Sequence, residues 1–138
     1  MYFINQKKKY LKLQKNKKNI LYISEPLDKK RDLIALDHFL KILSKANINY
    51  ENLLIKIHPR ENTNKYRKFF MKKKINVKFF KNTELTELFS KSKIVVGRNS
   101  MGLALSSYLG LKTYYCIPKD SGKFILPIKK IKKFSKTC

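Results

Sequence analysis

The chain has 138 residues, 43% of them apolar, with eight Tyr, nine Phe and a formal charge of +24. That supports one ordinary core and excludes disorder throughout, so a single domain or a piece of a larger protein is expected. Two cysteines, Cys116 and Cys138, match neither a disulfide framework nor a metal site, and no apolar run approaches the roughly 18 to 20 residues that span a bilayer.

The basic start, MYFINQKKKYLKLQKNKK, lacks the apolar segment of a signal peptide. Residues 1–18 hold no acid and little periodicity and read as a linker or loose helix. From residue 19 two patterns alternate. NILYIS (19–24) is a short β-rich run ended by the loop EPLDKK. RDLIALDHFLKILSKAN (31–47) places Leu33, Leu36, Phe39, Leu40 and Leu43 on one helical stripe, with Asp32 near its start and Lys45 near its end. LLIKI (53–57) is a second strand, and NTNKYRKFFMKKK (62–74) a polar helix that packs through Tyr66, Phe69 and Phe70. INVKFF (75–80) is a third strand. NTELTELFSKS (82–92) is a short helix with Thr83 as N-cap and Leu85, Leu88 and Phe89 as its apolar face.

KIVVG (93–97) is a fourth strand, NSMGLALSSYLG (99–110) a helix closed by Gly110, and KTYYCIP (112–118) a fifth strand stopped by Pro118. Cys116 in that apolar run reads as a buried thiol, which suits a reducing cytosol. Residues 119–138 begin with the turn KDSG and end in FILPIKKIKKFSK, whose apolar residues suit a short helix packed back on the domain. Strand–helix alternation with almost unbroken apolar strands predicts an α/β, Rossmann-like domain over residues 19–118. It has a five-stranded parallel sheet and helices on both faces.

The charge points to phosphates, on nucleic acid, on an anionic membrane or on a nucleotide-linked substrate. Of the 33 basic residues only four are arginine (Arg31, Arg60, Arg67, Arg98), and the lysines are scattered, seven before Glu25 and seven after Pro118. Base readout and bidentate phosphate clamps favour arginine, so specific nucleic-acid binding is not expected. A non-catalytic polyanion binder remains the alternative of another class.

Ligands of an open parallel sheet bind outside the carboxyl ends of its strands. Four such ends carry polar residues: Ser24-Glu25-Pro26, His58-Pro59-Arg60, Gly97-Arg98-Asn99-Ser100 and the stretch from Pro118 to Gly122. In VVGRNSMG, Asn99 and Ser100 stand at a helix start, where free amides and the positive dipole end favour a phosphate, or where either residue simply caps its own helix. Arg98 would add charge. Gly-x-Gly-x-x-Gly, a P-loop and Gly-x-Ser-x-Gly are all missing. His58, held by Pro59 after a buried strand, can bond a phosphate or protonate a leaving group, whereas His38 on the amphipathic helix reads as structural.

ILYISEPL, LLIKIHPRE and KIVVGRNSMGLALSSYLGLKTY together resemble the C-terminal half of bacterial sialyltransferases with two Rossmann-like domains, the GT-B type. The nearest group is the lipooligosaccharide sialyltransferases and capsular polysialyltransferases. Their HP motif and later serine motif hold the donor CMP-sialic acid. The resemblance implies that His58 contacts the CMP phosphate and assists its departure, that Pro59 holds the loop, and that Ser100, with Asn99 beside it, bonds the phosphate. Ser24, Glu25 and Pro26 would line the site, although glutamine more often precedes that proline in the family. Arg60 and Glu61 extend the HP motif in structural roles. The implied chemistry is inverting transfer of sialic acid to a glycan hydroxyl, without a metal, by a cytoplasmic protein near the inner face of an anionic membrane.

The family's acidic residue followed by Gly, which supplies the base, has no counterpart here, since no Asp-Gly or Glu-Gly occurs. Asp28, Asp32 and Asp37 are the acids nearest the first loop, and none is assigned as base. Only about 18 residues precede the first strand, so the acceptor-binding domain is expected elsewhere and the chain to be a truncated donor-binding half with little activity of its own. A half-domain of another glycosyltransferase or of an epimerase, using UDP, is the related alternative.

Overall fold

The computed structural model describes residues 18–26, 29–119 and 122–138. The expected linker at residues 1–17, Leu27 and Asp28 of the first loop, and Asp120 and Ser121 of the KDSG turn lie outside these. Six strands, β1 (Asn19–Ile23), β2 (Asn52–Lys56), β3 (Val77–Phe80), β4 (Ser92–Gly97), β5 (Lys112–Tyr115) and β6 (Lys132–Lys133), form one sheet in the order β3-β2-β1-β4-β5-β6. All five pairings are parallel. Among the described residues four helices link the first five strands: α1 (Lys29–Lys45), α2 (Thr63–Phe70), α3 (Leu85–Phe89) and α4 (Met101–Tyr108).

The period of two in the strands sorts side chains between two cores. Ile20 and Tyr22 of β1 meet Leu36 and Phe39 of α1 and Tyr66 and Phe70 of α2 on one face. Leu21 and Ile23 meet Leu88 and Phe89 of α3 and Leu103 of α4 on the other. Strands buried on both faces must be apolar throughout, which is why these runs lack alternation. Phe39 anchors the first core, its ring 4.8 Å from Tyr22 and 5.3 Å from Phe134. Cys116 is buried beside it, and burial pushes its thiol up to about 12. His38 is half-buried on α1; burial, then Lys133 and Lys41, hold its imidazole below the usual range.

The sheet has one more strand than the sequence announces. In β6 both residues are exposed lysines, with no apolar or β-branched signal. Backbone pairing of Tyr114 with Lys132 and Tyr115 with Lys133 makes it a strand, and lysines suit a sheet edge because they discourage further pairing. The tail does pack back, burying Ile131 and Phe134, but residues 122–138 contain no helix, contrary to expectation. Pro127 interrupts any helical run there. Instead Phe124 stacks on Tyr115 with ring centroids 4.3 Å apart. Among the described residues, no helix is long and apolar enough to cross a membrane.

Helix ends mostly follow their side chains. Asn62 caps α2 by accepting from the Asn64 amide, and Ser100 caps α4 by accepting from the Leu103 amide. Gly110, at φ 89°, follows the last turn of α4 in the left-handed region, as a C′ glycine does. For α3 the expected cap is displaced by one residue. Glu84 occupies the N-cap without a side-chain bond, while the Thr83 carbonyl accepts from Lys56 Nζ at 2.7 Å.

Candidate functional site

In this strand order β1 is the divide: the chain runs from it outward through β2 and β3, then returns to β4 and proceeds the other way. Loops leaving β1 and β4 therefore lead to helices on opposite faces of the sheet, and the carboxyl edge between them is the usual ligand position in such sheets. Ser24, Glu25 and Pro26 leave β1, His58, Pro59 and Arg60 follow β2, and Arg98, Asn99 and Ser100 follow β4. All three groups thus share one rim, with the β1 loop in the middle.

Glu61 organises the β2 side. It is only 6% exposed. Its Oε1 lies 2.6 Å from Ser24 Oγ and accepts from the His58 amide at 3.1 Å. Its Oε2 accepts from the Tyr66 hydroxyl and pairs with Lys65 Nζ at 2.8 Å. Lys65 also pairs with Asp32 of α1. Burial alone would raise the Glu61 carboxyl, but the bonds from Lys65, Ser24, Tyr66 and the His58 amide outweigh it and hold the group below the usual range. One buried carboxylate thus ties the ends of β1 and β2 to α2. Ser24, expected to touch a ligand, is committed here; its hydroxyl also lies 2.9 Å from the Lys56 carbonyl, and the carboxylate is the stronger acceptor.

His58 is half-buried, and its Nδ1 accepts the Arg60 amide at 3.1 Å. That bond requires an unprotonated Nδ1, so in the neutral ring the proton sits on Nε2, which is left as the ring's donor. Pro59 and Arg60 form the exposed turn behind it. On the β4 side, Ser100 Oγ accepts from the Leu103 amide at 3.3 Å. A hydroxyl that accepts still has its own proton to donate.

Asn99 works differently from the expectation that it would bond a ligand. Its Nδ2 donates to the Lys123 carbonyl and its Oδ1 accepts from the Ile125 amide, both at 2.7 Å. Both halves of the amide hold the tail against the rim. Arg98 is 8% exposed, and its positive charge bears on Glu25, Tyr22 and Cys116. For Glu25, burial raises the carboxyl above its ordinary range, against the pull of Arg98 and of a hydrogen bond from the Asn99 backbone.

A cleft of about 590 Å³ opens beside the HP loop, lined by Pro26, Arg60, Glu61, Asn62, Asn64, Lys65 and Lys68. Of the expected site residues only Pro26 lines it; His58 and Ser100 do not. Two lysines of structural weight escaped the sequence reading. Lys65 lies one helical turn beyond Glu61, a spacing that was there to be read. Lys56 donates to the carbonyls of Lys81 and Thr83, both at 2.7 Å, and so fixes the loop before α3. No local pattern marks that contact. Among the described residues, no three His, Cys, Asp or Glu side chains gather as metal ligands. No protein-family model, curated protein or solved structure matches the chain.

Proposed function

We propose that this chain is the donor-binding domain of a glycosyltransferase, holding a nucleotide-linked sugar by its phosphate at the carboxyl edge of the sheet, with CMP-sialic acid as the donor. The observation that carries the reading is the placement of His58 and Ser100. They follow β2 and β4, the two neighbours of β1, and so stand on either side of the β1 loop along one rim. Each has a donor left for an anionic oxygen: Nε2–H of His58, set by the Arg60 amide on Nδ1, and the hydroxyl of Ser100 at the start of α4. The resemblance of KIHPRE and GRNSMG to the sialyltransferase motifs favours CMP over UDP.

In this reading the glycosidic bond to the phosphate breaks as an acceptor hydroxyl attacks the anomeric carbon from the opposite face. The electron pair of the broken bond goes to the phosphate oxygen. Hydrogen bonds from His58 and Ser100 then stabilise a charge that grows in the transition state. The base that takes the acceptor's proton belongs to the other half of the enzyme.

Calorimetric titration with CMP, UMP and UDP tests this. CMP is expected to bind, and His58→Ala and Ser100→Ala each to weaken it by roughly tenfold or more. A folded sample that binds no CMP overturns the reading. Tight, steeply salt-dependent binding of duplex DNA in its place would establish the polyanion alternative.

A further inference from the structure

Charged residues make up 30% of the chain, yet α4, MGLALSSY, carries none. Its residues Met101, Ala104, Leu105 and Tyr108 recur at i, i+3, i+4 and i+7, the spacing of a helix face that buries against something. Here they line an apolar groove of about 410 Å³ open to solvent. Met101 is 77% exposed and Tyr108 48%. The tail adds Ile125, 76% exposed, whose amide is bonded to Asn99, two residues before Met101. Charge around this face has one sign. From Leu88 to Cys138 the sole acid is Asp120, against ten lysines and Arg98. At the far end of α4 a second cleft, of about 270 Å³, has Ser107, Lys112, Lys130 and Lys132 in its walls. Arg98 is buried, so the exposed cations of this stretch are lysines.

We propose that the outer face of α4 is a docking surface for an anionic lipid bilayer, with Met101, Leu105 and Tyr108 against the acyl boundary and Lys112, Lys130 and Lys132 on lipid phosphates. The proposal is independent of the donor-site reading above. An eight-residue helix is about 12 Å long and buries little area, so its apolar face holds a surface only with help from charge. Lysines next to the groove supply that help, because each is attracted to an anionic leaflet. Their long stems lie along apolar surface while the ammonium reaches the headgroups. A second copy of this chain fits the face poorly, since it would bring two surfaces of the same sign together. A protein partner fits less well than lipid, because protein interfaces favour arginine and are depleted in lysine.

The chain has no Trp, so Met101→Trp places a single fluorophore on this face, and Met71→Trp, at a residue 75% exposed at the end of α2, serves as control. Both are titrated with vesicles of phosphatidylglycerol and phosphatidylcholine in equal parts and with phosphatidylcholine alone. Emission of Met101→Trp is expected to shift to the blue on the anionic vesicles only, and that of Met71→Trp to stay unchanged. In co-sedimentation, Lys112→Glu/Lys130→Glu/Lys132→Glu is expected to bind the anionic vesicles roughly a hundredfold more weakly than wild type. Met101→Asp/Tyr108→Asp is expected to lose roughly tenfold or more. Lys72→Glu/Lys74→Glu/Lys78→Glu makes the same change of charge on exposed lysines elsewhere and is expected to lose less than about tenfold, because charges beyond a Debye length are screened. No binding of wild type to anionic vesicles overturns the proposal, as does an unshifted Met101→Trp or an equal loss from the two lysine sets. A dimer in sedimentation equilibrium that Met101→Asp/Tyr108→Asp dissolves gives the face to a second copy and overturns it too.

Discussion

Replacing Glu61 by alanine tests the account of the HP loop most severely. In the native protein its carboxylate meets Ser24 Oγ at 2.6 Å, the His58 amide at 3.1 Å, Lys65 Nζ at 2.8 Å and the Tyr66 hydroxyl. After truncation Ser24 retains the Lys56 carbonyl and Lys65 retains Asp32. The Tyr66 hydroxyl, on a residue 1% exposed, and the His58 amide lose their carboxylate acceptor. Each of these two lost bonds costs about 1–3 kcal/mol, and Lys65 is not left as an unpaired charge because Asp32 remains. A total of about 2–6 kcal/mol is therefore expected, a large share of a domain stability of about 5–15 kcal/mol. Tm should fall on the order of 10 to 20 °C by circular dichroism, with urea unfolding as the second measure.

Acid adds a check with a definite sign. The folded Glu61 carboxyl lies below its ordinary value of 4.5. Its contribution is present in full above that pH and is lost as pH falls through the lower, folded value. The stability gap between wild type and Glu61→Gln should accordingly shrink as pH drops through the carboxylate range. A cost under about 1 kcal/mol for Glu61→Ala, or a gap that widens in acid, would refute the hub.

Two further predictions concern the tail. Phe134 is fully buried, 5.3 Å from Phe39 and 5.7 Å from Tyr114 between ring centroids, so Phe134→Ala should cost about 3–5 kcal/mol in urea unfolding; a loss below about 1 kcal/mol would mean the tail is dispensable to the fold. Asn99→Ala removes the bonds to the Lys123 carbonyl and the Ile125 amide. Hydrogen exchange across residues 122–126 should quicken by roughly fivefold to thirtyfold while the sheet keeps its protection, and unchanged exchange there would show that something else holds the strap.

The sequence by itself determined the elements and their class. Five apolar runs of about five residues, parted by segments of helical period, admit little besides a parallel sheet covered on both faces. The rim residues were legible for the same reason, since each lies directly after an apolar run and parallel strands bring such ends to one edge. Tertiary structure decided what each of them does there. Glu25 and Glu61 are both acids next to an apolar run, yet Glu61 finds four donors and is held ionised, while Glu25 keeps a buried oxygen without one. Asn99 and Ser100 stand side by side at a helix start, but only Ser100 caps the helix, because the returning tail occupies both ends of the Asn99 amide. β6 was invisible for a related reason: its two lysines become a strand only through the backbone of β5. Local pattern records which surface a residue must bury, whereas the partner of a polar atom is set by segments far away in the chain.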